Sequence, residues 1–287
     1  MKIAVIMGGT SSEREVSLSS GKAVLNSLLR QGYDAYAIDI TKENEVSAFI
    51  DNNFDLAFMA LHGGNGENGK IQALLDLLGK KYTGSGAFAC SVSFNKKITK
   101  LIAEKIGIRT IKQYESIDDI DKYPVVIKPN QEGSSVGVHI CKNYEEAFKA
   151  VRELKDDYII EDFIEGEELT VGVLDGEPMG VIRIKPVSSR IYDYTSKYSN
   201  GGSIHECPAQ IDKKNYDEAM EFAKKIHIHL GMSGLSRSDF LLKDGKVYFL
   251  EVNSTPGMTE TSLVPDLIRM NGKDFDYFTK MMVEKFS

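Results

Sequence analysis

The chain has little of what marks secreted, membrane-spanning or nucleic-acid-binding proteins. Its three cysteines, Cys90, Cys141 and Cys207, form an odd and widely spaced set. They fit neither a disulfide framework nor a zinc-ligand pattern, so the expected compartment is the cytosol. Long apolar runs are missing as well. The N-terminal run Ile3–Met7 is far too short for a signal peptide or a membrane span. Neither charge sign dominates, with Lys+Arg 35 against Asp+Glu 42 and a net charge of -7. No basic stripe is visible, which argues against a nucleic-acid partner. No internal repeat and no low-complexity tract appears. With 287 residues the chain is too long for one ordinary core, so two or three domains are expected.

What is present is an alternation of strand and helix patterns. Lys2–Met7 and Asp55–Leu61 are short apolar runs ended by glycine turns, as buried parallel strands would be. Between them lie a helical pattern over Leu18–Gln31 and a strand-like Asp34–Ile40. Another helix is expected over Lys70–Leu78, with Ile71, Leu74, Leu75 and Leu78 on its apolar side. This β-α-β order predicts a small doubly wound unit over residues 1–86. Beyond it the texture changes. A helix over Lys96–Ile106, a strand over Tyr123–Pro129, a polar loop over Gln131–Gly137 and a strand over Val138–Cys141 read as an antiparallel hairpin. A helix over Asn143–Lys155 and a strand over Tyr158–Ile164 complete a second unit, residues 87–168. Residues 169–287 read as strands Leu169–Leu174 and Met179–Val187, a long loop Ser188–Gly202, a helix Lys213–Leu230, a hairpin Ser236–Asn253 and a helical end. Loops as long as Ser188–Gly202 are often lids. The fold class is α/β, or α+β taken as a whole.

Four segments carry chemistry. Gly64–Ile71 has the spacing of a P-loop, but Ile71 replaces the metal-binding hydroxyl and Glu67 would put negative charge in a phosphate cradle. A strand-to-helix turn is the plainer reading. The turn Gly8–Glu15 is either exposed, with Ser11 or Ser12 capping a helix, or a ligand site at a strand's carboxyl end. Glu13 would there suit an ammonium group. Lys128 precedes the small-residue loop Glu132–Gly137, whose backbone N–H groups could approach phosphates or simply turn a hairpin.

The richest set is Arg237, Asp239, Glu251 and Asn253. Glu251 and Asn253 are two apart on a strand and share a face. A two-residue Asp244-Gly245 turn would pair Lys243 with Lys246 and put Asp239 on the opposite face. A three-residue turn with Gly245 in a bulge would instead bring Arg237 and Asp239 to the face of Glu251. Phe240, Leu242, Tyr248, Leu250 and Val252 would then take the other. Two carboxylates and an amide oxygen are hard ligands suited to magnesium with nucleotide phosphates. His227 and His229 cannot form a ligand pair on one helix. Lys96, Lys97 and Lys100 read by default as a solvated helix face, and Tyr192, Tyr194 and Tyr198 as loop anchors.

Six segments together, GGTSSEREVSLSSG, ALHGGNGENG, YTGSG, KPNQEGSSVGV, YDYTSKY and LEVNSTPGMTETSLVP, resemble the D-alanine–D-alanine ligase family, in the family's order and from end to end. The resemblance implies a Rossmann-like N-terminal domain followed by a two-part ATP-grasp fold. It also implies a cytoplasmic ligase of peptidoglycan synthesis that takes ATP and two D-alanine molecules, works as a homodimer and acts through a D-alanyl phosphate. Glu13 would hold the first ammonium, with Ser134 and Tyr198 closing the lid, and His62 and Tyr192 would lie near the first substrate. Lys96, Lys128 and Ser135 would contact phosphates, and Lys197 the transferring one. Glu161, Asp162 and Ile164 (the last two through backbone groups) and Glu168 would bind adenine and ribose. Asp239, Glu251 and Asn253 would hold two magnesium or manganese ions, with a monovalent cation as a further candidate. Arg237 and the N–H of Gly257 would stabilise an oxyanion, and Ser262 and Leu263 would meet the second D-alanine. Two departures stand out. Asp162 occupies a frequent lysine position, and the run Leu235–Asp239 is more polar than usual. D-lactate or D-serine as second substrate, or a non-catalytic nucleotide-binding relative, are the alternatives.

Overall fold

A computed structural model describes residues 1–155, 157–186, 202–259 and 262–287. The strand-to-helix alternation at the N-terminus builds a parallel sheet of β1 (Lys2–Gly8), β2 (Asp34–Ile40), β3 (Leu56–Met59) and β4 (Lys81–Tyr82), in the order β2-β1-β3-β4. Its crossovers are α1 (Arg14–Arg30), the short α2 (Ser47–Asp51) and α3 (Lys70–Leu77). Both faces of β1 are buried, as the unbroken apolar run requires. Ala4 and Ile6 pack with Phe49, Leu61 and Leu75 on one side. On the other, Ile3 and Val5 meet Val24 and Leu28 of α1 together with residues from the far end of the chain.

That far end is α8 (Leu263–Met270) and α9 (Phe275–Phe286). Phe278, Met282 and Val283 of α9 join the core against β1. Ser27 Oγ, on α1, hydrogen-bonds Asp276 Oδ1 at 2.6 Å and shares a proton with Thr279 Oγ1 at 2.7 Å. The last helix therefore completes the first sheet's core.

The second sheet is antiparallel: β5 (Gln113–Tyr114), β6 (Val125–Pro129), β7 (His139–Cys141) and β8 (Tyr158–Asp162), ordered β5-β8-β6-β7. The expected β6–β7 hairpin is present, with Val125 opposite Cys141. α6 (Tyr144–Leu154) covers this sheet with Ala147 and Ala150. Two helices precede it, α4 (Ala87–Phe94) and α5 (Lys96–Lys105). α4 went unread because its residues are small or apolar nearly all round and draw no stripe.

The third sheet is β9 (Glu167–Leu174), β10 (Glu177–Pro186), β11 (Ser203–Glu206), β12 (Leu235–Lys243) and β13 (Lys246–Asn253), ordered β11-β10-β9-β12-β13 and antiparallel. It packs on α7 (Lys213–His229) through Ala219, Phe222, Ala223 and Ile226. The loop expected over Ser188–Gly202 lies almost wholly outside the described residues. Among the described residues no helix is long and apolar enough to cross a membrane.

The β12–β13 turn departs from the expected three residues. Lys243 pairs with Lys246, so the turn is the two-residue Asp244-Gly245, with φ of 50° and 67°. Positive φ at both positions is the hairpin geometry that Asp-Gly favours. The register then shifts farther along. Phe240 faces Phe249, but Asp239 faces Glu251, leaving Leu250 as the extra residue of a β-bulge. One inserted residue reverses the alternation. Arg237, Asp239, Glu251 and Asn253 thus reach the same face by a bulge rather than by a longer turn. The core face is corrected too. Val247 and Phe249 join Phe240, Leu242 and Val252 against α7, whereas Leu250 borders a cleft and Tyr248 stays out of the core.

His227, on the buried side of α7, shares a proton with Ser236 Oγ at 2.7 Å. Burial pushes its pKa down to about 4, against an ordinary 6.5. The unfolded chain therefore binds a proton first as pH falls, and the stability tied to the neutral ring is full above 6.5 and lost on the way down through 4. Urea titrations at pH 7 and pH 5 should differ by about 2 kcal/mol from this group alone. His227→Gln should flatten that part of the slope, and an unchanged slope would refute it.

Candidate functional site

The carboxyl ends of β1 and β3 are tied to the start of α1. Ser17 Oγ accepts from Gly8 N at 2.9 Å and donates to Ala60 O at 2.7 Å. Glu13 is the residue before α1, and no serine side chain caps that helix. Ser11 Oγ instead donates to His62 O at 2.6 Å and accepts from Glu13 N at 3.2 Å. Of the two readings of this turn, exposed or ligand-facing, burial supports the second. Glu13 is only 9% exposed and accepts a hydrogen bond from Ser134 Oγ, in the loop between β6 and β7. A Cβ on Gly63 or Gly133 would stand 2.7 or 2.8 Å from Glu13 Oε2, so a side chain at either position would displace the Glu13 carboxylate. Ser134 and Ser135 hold φ of 53° and 58°, a left-handed conformation that costs non-glycine residues energy and gathers at functional sites.

His62 is buried between two fixed partners. Its Nδ1 lies 2.9 Å from Thr255 O and its Nε2 2.9 Å from Ser20 Oγ. Ser20 Oγ accepts from Met258 N at 3.1 Å, so its proton is free for Nε2, and Nδ1–H then donates to Thr255 O. Glu67 Oε1 sits 3.7 Å from Nδ1. Burial, and then the nearby Glu13, holds the Glu67 carboxyl above the usual carboxylate range. Glu67 counted in the sequence only as an objection to a P-loop. In the structure none of residues 64–70 borders the larger, lysine-lined cleft, whereas Glu67 borders the smaller one beside it.

That larger cleft lies between β6–β8 and β12–β13, bordered by Lys96, Lys128, Ser135, Glu161, Asp162, Ile164, Glu168, Asp239 and Glu251. Val126, Ile140, Ile184, Leu241 and Leu250 give it an apolar interior, the lining a flat base would need. The Asp162 carboxylate is occupied by Tyr114 Oη at 2.8 Å and Lys122 Nζ at 2.9 Å, and its backbone N–H donates to Lys112 O at 3.0 Å.

The lysines of α5 contradict the expectation of a solvated face. Lys97 is exposed, but Lys96 and Lys100, one turn apart, are 8% and 0% exposed. Lys96 Nζ donates to Glu132 O at 2.6 Å and stands 3.3 Å from Glu251 Oε2. Glu161, 1% exposed, accepts Lys128 Nζ at 2.8 Å on one oxygen and Lys100 Nζ on the other. Burial opposes its charge, but the two ammonium groups outweigh it and hold the carboxyl below its ordinary range. Burial likewise pushes Lys100 down to about 8.

The bulged hairpin supplies the remaining charge. Arg237 grips Asp239 with two parallel bonds, Nε to Oδ1 at 2.9 Å and Nη2 to Oδ2 at 2.7 Å. Thr170 Oγ1 and Asn253 Nδ2 also donate to Asp239, at 2.5 and 3.2 Å. No group of three His, Cys, Asp or Glu side chains that could hold a metal occurs among the described residues. Two facing carboxylates plus an amide instead suit a cation that keeps several oxygens from a substrate, as magnesium does with nucleotide phosphates.

Beside this lies a smaller, polar cleft that contains Glu13, His62, Ser134, Arg237, Asn253, Gly257, Ser262 and Leu263. Glu251 borders both clefts. Thus residues from all three sheets meet at one carboxylate. Lys197, Tyr198 and Tyr192 lie outside the described residues.

A family model described as D-ala D-ala ligase N-terminus matches residues 2–49 and 45–85, and one described as D-ala D-ala ligase C-terminus matches 95–284. A D-alanine--D-alanine ligase of Fusobacterium nucleatum is 58% identical over 286 residues, covering 100% of this chain and 99% of that protein. Two solved structures superpose with a TM-score of 0.85. One is the D-alanine--D-alanine ligase of Bacillus anthracis complexed with ATP, 31% identical over 99% of this chain and 96% of that one. The other is the VanG D-Ala:D-Ser ligase of Enterococcus faecalis, 28% identical over 100% and 99%. With both halves of the chain matched, and a relative this similar along its whole length, the chain belongs to the D-alanine–D-alanine ligase family.

Proposed function

We propose that the chain joins two D-alanine molecules at the expense of ATP, releasing ADP and phosphate. The observation that carries this reading is the meeting of a base-sized, lysine-bordered cleft and a small polar cleft at Glu251. A carboxylate is a poor acyl donor, so its oxygen first takes the γ-phosphoryl group of ATP. The amine of the second D-alanine then attacks the acyl phosphate, the tetrahedral centre collapses, and phosphate leaves.

Each residue has a task matched to its chemistry. Glu13, tied to Ser134, holds the first ammonium. His62, fixed by Ser20 and Thr255, closes the wall beside it. Lys96 and Lys128 offset charge on the nucleotide phosphates. Arg237 and the N–H of Gly257 face the oxygen on which charge develops, usually the largest contribution to such steps. Ser262 and Leu263, at the start of α8, border the space for the second D-alanine. Magnesium held by Asp239, Glu251 and Asn253 would draw charge from the phosphates. Lys197 is assigned to the transferring phosphoryl group, Tyr198 to closing the lid with Glu13 and Ser134, and Tyr192 to the first substrate. A homodimer belongs to the same reading. α3 and α4 pack on each other, and Leu77 (87% exposed) and Phe88 (76%) supply apolar surface for it.

The test offers D-alanine, D-serine, D-lactate and L-alanine together with ATP and magnesium and identifies products by mass spectrometry. D-alanyl-D-alanine with equimolar phosphate is the expected result. A product containing D-serine or D-lactate in preference, or no product, would remove the reading.

A further inference from the structure

The buried group Lys100, Glu161 and Lys128 has more cations than its one carboxylate needs. Glu161 sits between two strands of the small sheet with almost no exposure, and each of its oxygens has its own lysine. The two lysines differ in position. Lys100 comes from α5, is 0% exposed and also reaches Phe249 O at 3.4 Å, under β13. Lys128, at the end of β6, borders the larger cleft and keeps 13% of its side chain exposed. A buried carboxylate with a single counter-ion would hold that cation firmly, because separation would strand a charge in a dry interior. With two counter-ions, one can leave.

We infer that Lys100 is a positioning residue for the nucleotide phosphates: as the permanent counter-ion of Glu161, it frees Lys128 to turn toward a phosphate in the cleft. This rests on the ATP-using reading above. Of the two ammonium groups, only that of Lys128 borders the cleft, where an anionic chain would arrive. Lys100 itself touches no ligand. Its i,i+4 spacing from Lys96 places both on one side of α5, yet only Lys96 borders the cleft.

The test is calorimetric binding of ADP with magnesium, and of adenosine, to the full chain and to Lys100→Met. With Glu161 left to Lys128 alone, ADP should bind about tenfold or more weakly, while adenosine and the KM for D-alanine stay within about twofold. A purely structural role would weaken adenosine as much as ADP, and that result, or unchanged ADP affinity, overturns the inference. If Lys100→Met does not fold, the pair Lys100→Met with Glu161→Gln removes both buried charges together. Loss of Glu161 then falls on adenosine and ADP alike, but Lys128 is free, so ADP should weaken by no more than about threefold beyond adenosine. ADP weakened about tenfold more than adenosine in that variant overturns the inference as well. ADP affinity needs no turnover, so failure to make dipeptide would sink the ligase reading and leave this result to be judged separately.

Discussion

Arg237→Met should lower kcat/KM for dipeptide formation by about 10²–10³-fold, with the loss mainly in kcat. The guanidinium serves two ends. It borders the small cleft assigned to the oxyanion, and its Nε and Nη2 hold both oxygens of Asp239. Methionine fills the space but offers neither function. Asp239 keeps Thr170 and Asn253 as donors, so the protein should remain folded. Circular dichroism and thermal melting check that, and steady-state kinetics read the loss. Arg237→Lys should recover little, because a point charge cannot reproduce a two-pronged grip. Turnover within tenfold of the original chain would discard the oxyanion role.

Glu251→Gln should be as severe, for a different reason. The amide is nearly isosteric and still accepts a hydrogen bond from Lys96, 3.3 Å away in the original chain. The negative charge facing Asp239 is lost. Activity at fixed magnesium should fall on the order of 10²–10³-fold, and the magnesium concentration for half-maximal rate should rise. Lys96 also donates to Glu132 O, so its buried ammonium retains one partner and stability should change modestly. Near-normal turnover with an unshifted magnesium requirement would remove the metal assignment.

Much of the frame was legible because its signals are local. The parallel strands β1 and β3 announce themselves as apolar runs ended by glycine, and the strand-like β2 was read to the residue. The β6–β7 hairpin follows from strand patterns on either side of a polar loop. β4 and β5, two residues each, are too short to show any period. The buried lysine at position 100 could not be separated from its exposed neighbours. Helix spacing says which residues share a face, but not what that face meets.

The hairpin 237–253 draws the same line most sharply. Its sequence alone determined that Glu251 and Asn253 share a face, that Asp244-Gly245 is the turn chemistry of a tight hairpin, and that oxygen ligands and an arginine lie along the two strands. Only the tertiary structure decided how they meet. The turn takes two residues, and the alternation is restored by a bulge at Leu250, a residue type that carries no bulge signature. A single residue's backbone torsions can reverse the facing of every side chain beyond it, and those torsions are settled by what the strand packs against. Here Phe249 and Val252 are both drawn into the core on α7, three positions apart, and Glu251 is left facing the cleft.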